Sequence, residues 1–249
     1  MSEAPARTAL VTGASTGIGR AIALALGQVG FDLAIADLDP GSLDEVIAQP
    51  QLHNRKAAPV ALDLRSEGSI AEAVEQAATA LGSIGVLVNN AGVPLQKPAT
   101  EVTWSEWDAV IDVNLKGSYF LATAFARHCR DGGRGGAVIN IASTHGLTGI
   151  ADRSVYGISK GGIIQMTRML AIEWAPLGIR VNAVAPATVL TPSREKMLSD
   201  PDARARMLAR IPLGRFVTPE EVAAAVLYLC SPEAAAVTGT TLAIAGGEM

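Results

Sequence analysis

"TALVTGASTGIGRAIALAL", residues 8–26, joins an apolar strand to a helix through a glycine-rich turn. TALVT (8–12) has the composition of a buried strand closed by a turn residue. Beyond the turn, Ile18, Ile22, Leu26 and Val29 recur at helical spacing and mark one apolar stripe. Gly13, Gly17 and Gly19 lie between the two, where absent Cβ atoms let a phosphate approach the backbone. The helix beginning near Gly17 points its free amides and positive dipole end the same way. The spacing is GxxxGxG rather than GxGxxG. A tight, closely packed turn accounts for one of these glycines but not for three.

The strand–helix alternation continues along the chain. Further strands read as DLAIA (32–36), APVAL (58–62), VLVNN (86–90), AVINIA (137–142), RVNAVA (180–185) and TLAIA (241–245). Seven apolar strands separated by crossover-length segments predict an α/β fold: a doubly wound, Rossmann-type parallel seven-stranded sheet with helices on both faces and right-handed crossovers. No proline- or serine-rich linker and no internal repeat divides the chain, so residues 1–249 read as a single domain. The DGGRGG stretch (131–136) is a loop feeding the fifth strand, and residues 187–215 read as a polar, helical lid over the site.

Composition narrows the partners. The 249 residues are 49% hydrophobic and 18% charged, with a net charge of −4 and a pI near 5.4. No dense basic patch is present, which argues against nucleic acid and for a small-molecule ligand. Cys129 and Cys230 lack CxxC spacing and read as buried thiols of a reducing compartment. Three histidines, His53, His128 and His145, are too few for a metal site built from His and Cys. The start, MSEAPARTALVTGAS, has no apolar core for a signal peptide, and Val222–Cys230 falls short of the roughly 20 residues that span a bilayer. A soluble, cytoplasmic protein with no membrane association is expected.

Asp37 stands eighteen residues after Gly19, at the end of the second strand, where a carboxylate can accept hydrogen bonds from ribose hydroxyls and repel a 2′-phosphate. No basic neighbour offsets it, since Thr16 precedes Gly17 and Leu38 follows Asp37. NAD is expected over NADP. The blander alternative is that Asp37 merely opens the turn DLDPGS. In NNAG (89–92), Asn89 is placed to bridge backbones, while Ala91 and Gly92 leave room for adenine or ribose.

Tyr156 and Lys160, in YGISK (156–160), share a helical face. A free tyrosine has a pKa near 10. A cation about 4–6 Å away favours the phenolate by roughly 3–4 kcal/mol at an effective dielectric near 20. That lowers the pKa by about two to three, enough for a general base near neutral pH. Ser143 and Asn114 converge on the same carboxyl edge. Exposed Tyr/Lys pairs at this spacing are, in isolation, usually inert.

Taken together, TGASTGIG (12–19), Asp37, Asp63–Leu64, NNAG, Asn114, Ser143, Tyr156, Lys160 and PATVLTP (186–192) resemble the short-chain dehydrogenase/reductase family over essentially the whole chain. The resemblance implies an NAD(P)-dependent oxidoreductase acting on CH–OH groups. Tyr156 would exchange the substrate proton, with Lys160 lowering its pKa and holding the nicotinamide ribose. Ser143 would hydrogen-bond the substrate oxygen, and Asn114 would hold a water linking Lys160 to solvent. It also implies cofactor contacts at Gly13, Ser15, Thr16, Gly17, Ile18, Gly19, Asp37, Asp63, Leu64, Asn90, Ala91, Gly92, Tyr156, Lys160, Pro186, Val189 and Thr191. Two departures stand out: Pro186–Ala187 where relatives have Pro–Gly, and Ala245–Gly246–Gly247 where they have Asp–Gly–Gly.

The helix from Ser154 to Trp174 is apolar over most of its circumference, which predicts burial beyond the monomer, and the resemblance implies pairing of this helix in a homotetramer or homodimer. Gln96, His145 and Arg153, with Ser143 and Tyr156, are the candidate substrate contacts. They suit a small polar substrate: a sugar, sugar acid or polyol, as secondary alcohol and ketone or as hemiacetal and lactone. The rival substrate is a 3-oxoacyl carrier-protein thioester, docked on Arg127, Arg130 and Arg134. Leu177 stands where carrier-using relatives often have arginine. A non-catalytic nucleotide-binding regulator is the reading from another class; such proteins typically lose the tyrosine or lysine.

Overall fold

The computed structural model describes residues 7–191, 194, 195, 198 and 200–248, with only the backbone of Ala203. Seven parallel strands form one sheet: β1 (Thr8–Thr12), β2 (Asp32–Asp37), β3 (Ala57–Ala61), β4 (Val86–Asn89), β5 (Gly136–Ile141), β6 (Ile179–Pro186) and β7 (Thr241–Ile244). Their order across the sheet is β3-β2-β1-β4-β5-β6-β7. The helices are α1 (Gly17–Gln28), the single turn α2 (Asp44–Ile47), α3 (Glu67–Leu81), α4 (Trp104–Ile111), α5 (Ser118–Asp131), α6 (Ser154–Trp174), α7 (Pro201–Leu208) and α8 (Pro219–Cys230).

Both faces of the sheet are covered, which is why its strands read as near-continuous apolar runs. Leu10 packs into a core with residues of α3, α5 and α6, whereas Ala9 and Val11, pointing the other way, pack with α1 and α8. All five residues of β1 are buried. Where strand ends differ from the sequence reading, pairing rather than apolarity sets them. β3 begins at Ala57 because that residue pairs with Leu33. β6 extends to Ile179, opposite Gly136, and to Pro186, opposite Ile244.

The three glycines of the first turn need a corrected explanation. Gly13 and Gly17 have φ of +63° and +55°, backbone that glycine adopts without strain. A Cβ on Gly13 would lie 2.9 Å from Ala91 Cα, and one on Gly19 would collide with the Gly13 carbonyl oxygen. Turn geometry and close packing therefore account for all three. Gly13 and Gly17 also line a crevice at this edge of the sheet.

Cys129 is buried, and burial pushes its thiol up to about 11. Cys230 is only half-buried, against the sequence expectation. Among the described residues, no helix is long and apolar enough to cross a membrane, and no group of three or more His, Cys, Asp or Glu could hold a metal ion.

Candidate active site

The chain leaves β1 for β2 and β3 on one side, then returns to β4 on the other, so the sheet splits its connections between β1 and β4. Ligands of open parallel sheets bind outside the carboxyl ends of strands at such a point. Two crevices open there. One, of about 860 Å³, is lined by Gly13, Ser15–Ile18, Asp37, Asp63, Leu64 and Asn90–Gly92. The other, of about 380 Å³, is lined by Ser143, Tyr156, Lys160, Pro186, Val189 and Thr191. They meet at Ile18, Asn90, Gly92 and Thr191, which border both. Of the expected cofactor contacts, Gly19 alone borders neither, being packed under the turn.

The larger crevice fits a dinucleotide. The cap of α1, Thr16, makes no side-chain hydrogen bond to the helix, and no acidic residue occupies its first turn. Its amides therefore face the crevice unscreened, whereas α3, α4 and α8 are capped by Ser66, Thr103 and Thr218. Asp37 Oδ2 accepts from Ser15 N and Oγ at 3.2 and 2.6 Å, and Oδ1 accepts from Leu38 N at 2.8 Å. These bonds fix the carboxylate and tie the end of β2 to the turn after β1. Arg65 borders the same crevice and escaped the sequence reading, although it follows Asp63–Leu64 directly. Asp63 holds it through a pair of bonds at 2.9 and 2.8 Å, so its charge is matched.

Asn90 bridges backbones at this edge: its Nδ2 donates to the Thr12 and Gly13 carbonyls at 2.9 and 3.0 Å. Asn89, buried, ties the end of β4 to the Ser118 carbonyl at 3.3 Å and to Asn140 Oδ1 at 2.9 Å.

Tyr156 and Lys160 lie on α6 with the lysine Nζ 5.8 Å from the tyrosine ring centroid. Lys160 is buried and donates to the Ile141 carbonyl at 2.7 Å; burial lowers its pKa to about 8. The expected acidity of Tyr156 is reversed. Burial pushes the phenol above 10 and outweighs hydrogen bonding to Ser143 and the fields of Arg153 and Arg194, which pull it down. Lys160, bonded to the Ile141 carbonyl, does not overcome that burial.

Asn114 lies in a π-helical turn, Asp112–Gly117, between α4 and α5. Its Nδ2 donates to Val93 O at 3.0 Å and Ser159 Oγ at 3.1 Å, while Oδ1 accepts from Val93 N at 2.7 Å. One lone pair of Oδ1 is left for the expected water. The side chain clamps the loop after β4 against α6, and Gly92 sits where a Cβ would be 3.1 Å from Asn114 Oδ1 and 3.6 Å from Lys160 Nζ.

The expected substrate contacts divide. Ser143 borders the smaller crevice, with its Oγ 3.1 Å from His145 Nδ1. His145 does not line that crevice; its ring stands edge-on to Tyr156 at 5.7 Å, and burial lowers its pKa. Gln96 and Arg153 line it and bond to each other at 2.8 Å. Arg194, missed in the sequence reading, lines it too. Of the expected lid, α7 is helical and Leu198 packs with Ile211 and Phe216, while Ser193, Lys196, Met197 and Ser199 lie outside the described residues, as does Pro192 of PATVLTP.

A family model described as enoyl-(acyl carrier protein) reductase matches residues 13–248. The 3-oxoacyl-[acyl-carrier-protein] reductase of Thermotoga maritima is 39% identical over 97% of each chain. The 2-dehydro-3-deoxy-D-gluconate 5-dehydrogenase of Escherichia coli is 36% identical over 97% of this chain and 94% of its own. Among solved structures, a putative short-chain alcohol dehydrogenase from Sinorhizobium meliloti superposes with a TM-score of 0.93 at 38% identity, covering 97% of this chain and 96% of that one. A sheet that divides beside a part-buried Tyr156 and a buried Lys160, matched by such relatives along nearly its whole length, places this chain in the short-chain dehydrogenase/reductase family.

Proposed function

We propose that the protein is an NAD-dependent oxidoreductase interconverting a secondary alcohol and a ketone on a small polar substrate, a sugar, sugar acid or polyol. The observation that carries this reading is the placement of Tyr156, Lys160 and Ser143 around a crevice continuous with the one that Asp37 borders. When bound, the nicotinamide supplies the hydride acceptor or donor. Tyr156 takes the hydroxyl proton in oxidation and returns it in reduction. Ser143 donates to the substrate oxygen. Lys160, fixed by Ile141, holds the nicotinamide ribose and adds positive charge beneath the phenol. That charge acts against the burial that raises the pKa of the phenol. Asp37 favours NAD by repelling a 2′-phosphate, and the Asp63 carboxylate keeps Arg65 from reversing that preference. Assembly into a homotetramer or homodimer and a cytoplasmic location belong to the same proposal. The unpaired cysteines are in keeping with a reducing compartment.

The likeness to a 3-oxoacyl reductase favours a second reading, reduction of an acyl thioester. Against carrier docking, Arg130 is tied to Asp131 at 2.8 Å. One experiment separates the readings: sugars, sugar acids, polyols and acetoacetyl thioesters are offered with NAD(H) or NADP(H) and followed at the nicotinamide absorbance. Turnover of hydroxylated compounds with NAD is expected, as is a loss of at least a thousandfold in Tyr156→Phe with NAD binding retained. Thioester reduction with NADPH alone, or full activity in the phenylalanine variant, would displace the proposal.

A further inference from the structure

We infer that the substrate carries an anionic oxyacid group, held by the guanidinium groups of Arg153 and Arg194. This deepens the proposed function and rests on Tyr156 standing at the reacting carbon. Both arginines line the crevice that contains Ser143 and Tyr156, and neither borders the nucleotide crevice, so the phosphates of a dinucleotide are not their partners.

Arg153 comes from the turn before α6, and its guanidinium donates to a neutral group, Gln96 Oε1. Arg194 enters from the segment after β6, its main chain bonded to Thr191 Oγ1 at 3.4 Å. Among the described residues, neither guanidinium has a carboxylate within ion-pair distance. The contrast is local. Arg210, whose field also reaches His145, is matched by Glu248 at 3.1 Å. Two cations thus converge on one tyrosine unneutralised; burial and the charge of Arg194 together lower the pKa of Arg153. Like charges gathered in a part-buried cleft are unfavourable until an anion joins them.

The chemistry of the lining favours an acid over a polyol. Among the described residues, no Asp or Glu borders this crevice. A polyol presents hydroxyls that must donate as well as accept, and guanidinium groups only donate. An oxyacid accepts from both, in the fork geometry for which arginine is suited. Of the substrates proposed above, the acids are therefore selected.

The test pairs 4-oxocyclohexanecarboxylate with its uncharged carboxamide, which shares the ring and ketone. Binding to the protein–NADH complex is measured by titration calorimetry, separately from NADH oxidation. The carboxylate is expected to bind at least tenfold more tightly. Arg153→Gln and Arg194→Gln should each erase most of that ratio while leaving carboxamide binding within twofold, and Arg153→Lys should restore part of it. Displacement by methyl phosphate at lower concentration than by acetate would assign a phosphate as the oxyacid, and the reverse a carboxylate. Equal binding of acid and amide, or equal weakening of both in the variants, overturns the inference. Selective carboxylate binding without NADH oxidation would instead sustain the anion site and sink the oxidoreductase reading.

Discussion

At the scale of single residues, the site is governed by burial as much as by charge. Lys160 shows this most clearly, because its pKa falls from 10.5 to about 8 through desolvation alone. Such a depression corresponds to about 3 kcal/mol of destabilisation while the lysine is charged in both folded and unfolded chains, that is, below about pH 8. Between pH 8 and 10.5 the folded protein sheds the proton that the unfolded chain keeps, so stability rises with pH and the penalty disappears. Replacing the lysine by methionine removes the penalty but leaves the Ile141 carbonyl without its donor, at a cost of about 1–3 kcal/mol. Lys160→Met is therefore expected to be near neutral or stabilising at pH 7 and destabilising at pH 10, as read by urea unfolding at the two values. A constant difference across that range would contradict the buried ammonium. The sequence placed Tyr156 and Lys160 together correctly, since helical spacing is local. It misjudged the direction of the tyrosine's shift because desolvation depends on chain segments far away in sequence.

At the scale of elements, the sequence is most legible where an element is fully buried or sharply bounded. TALVT coincides with β1, and the helix read from Ser154 to Trp174 coincides with α6. Sheet-end boundaries and the convergence of Arg153 and Arg194 were not legible, because both arise from neighbours far away in sequence. The first turn offers a sharp test of its corrected explanation. A methyl at Gly19 meets the fixed Gly13 carbonyl, and neither side can yield without moving β1 or α1. Gly19→Ala should therefore cost well over 3 kcal/mol or prevent folding. Gly82 closes α3 at φ +79°, and a methyl there would meet nothing within 4 Å. Gly82→Ala should therefore cost only the left-handed backbone term, about 1–2 kcal/mol. Thermal melting of the two variants compares them directly. Equal losses would mean that the turn yields to the Gly19 methyl and the collision is relieved.

At the scale of the whole molecule, the helix layer over one face of the sheet leaves large apolar side chains exposed on its outer side. α6 sends Ile163, Ile164 and Leu170 into the core, yet leaves Ile158, Met169 and Ile172 exposed, the last at 75%. Tyr119 and Phe120 on α5 and Trp104 on α4, at 86%, lie exposed on helices of the same layer. Isolated apolar residues on a surface are ordinary, but three helices contributing large side chains make a patch suited to association. Tyr156 and Lys160 project from α6 as well, so covering its outer side would also brace the site against motion. Ile172→Glu tests this without touching the core: in a monomer the exchange of so exposed a residue changes stability by no more than about 0.5 kcal/mol. In an assembly it buries a charge against apolar neighbours and should dissociate it. Light scattering on the wild-type protein is expected to give a multiple of 25.6 kDa, and on the variant a shift toward that monomer mass with a lower melting temperature. A wild-type protein already at the monomer mass would show that the exposed face serves no copy of this chain.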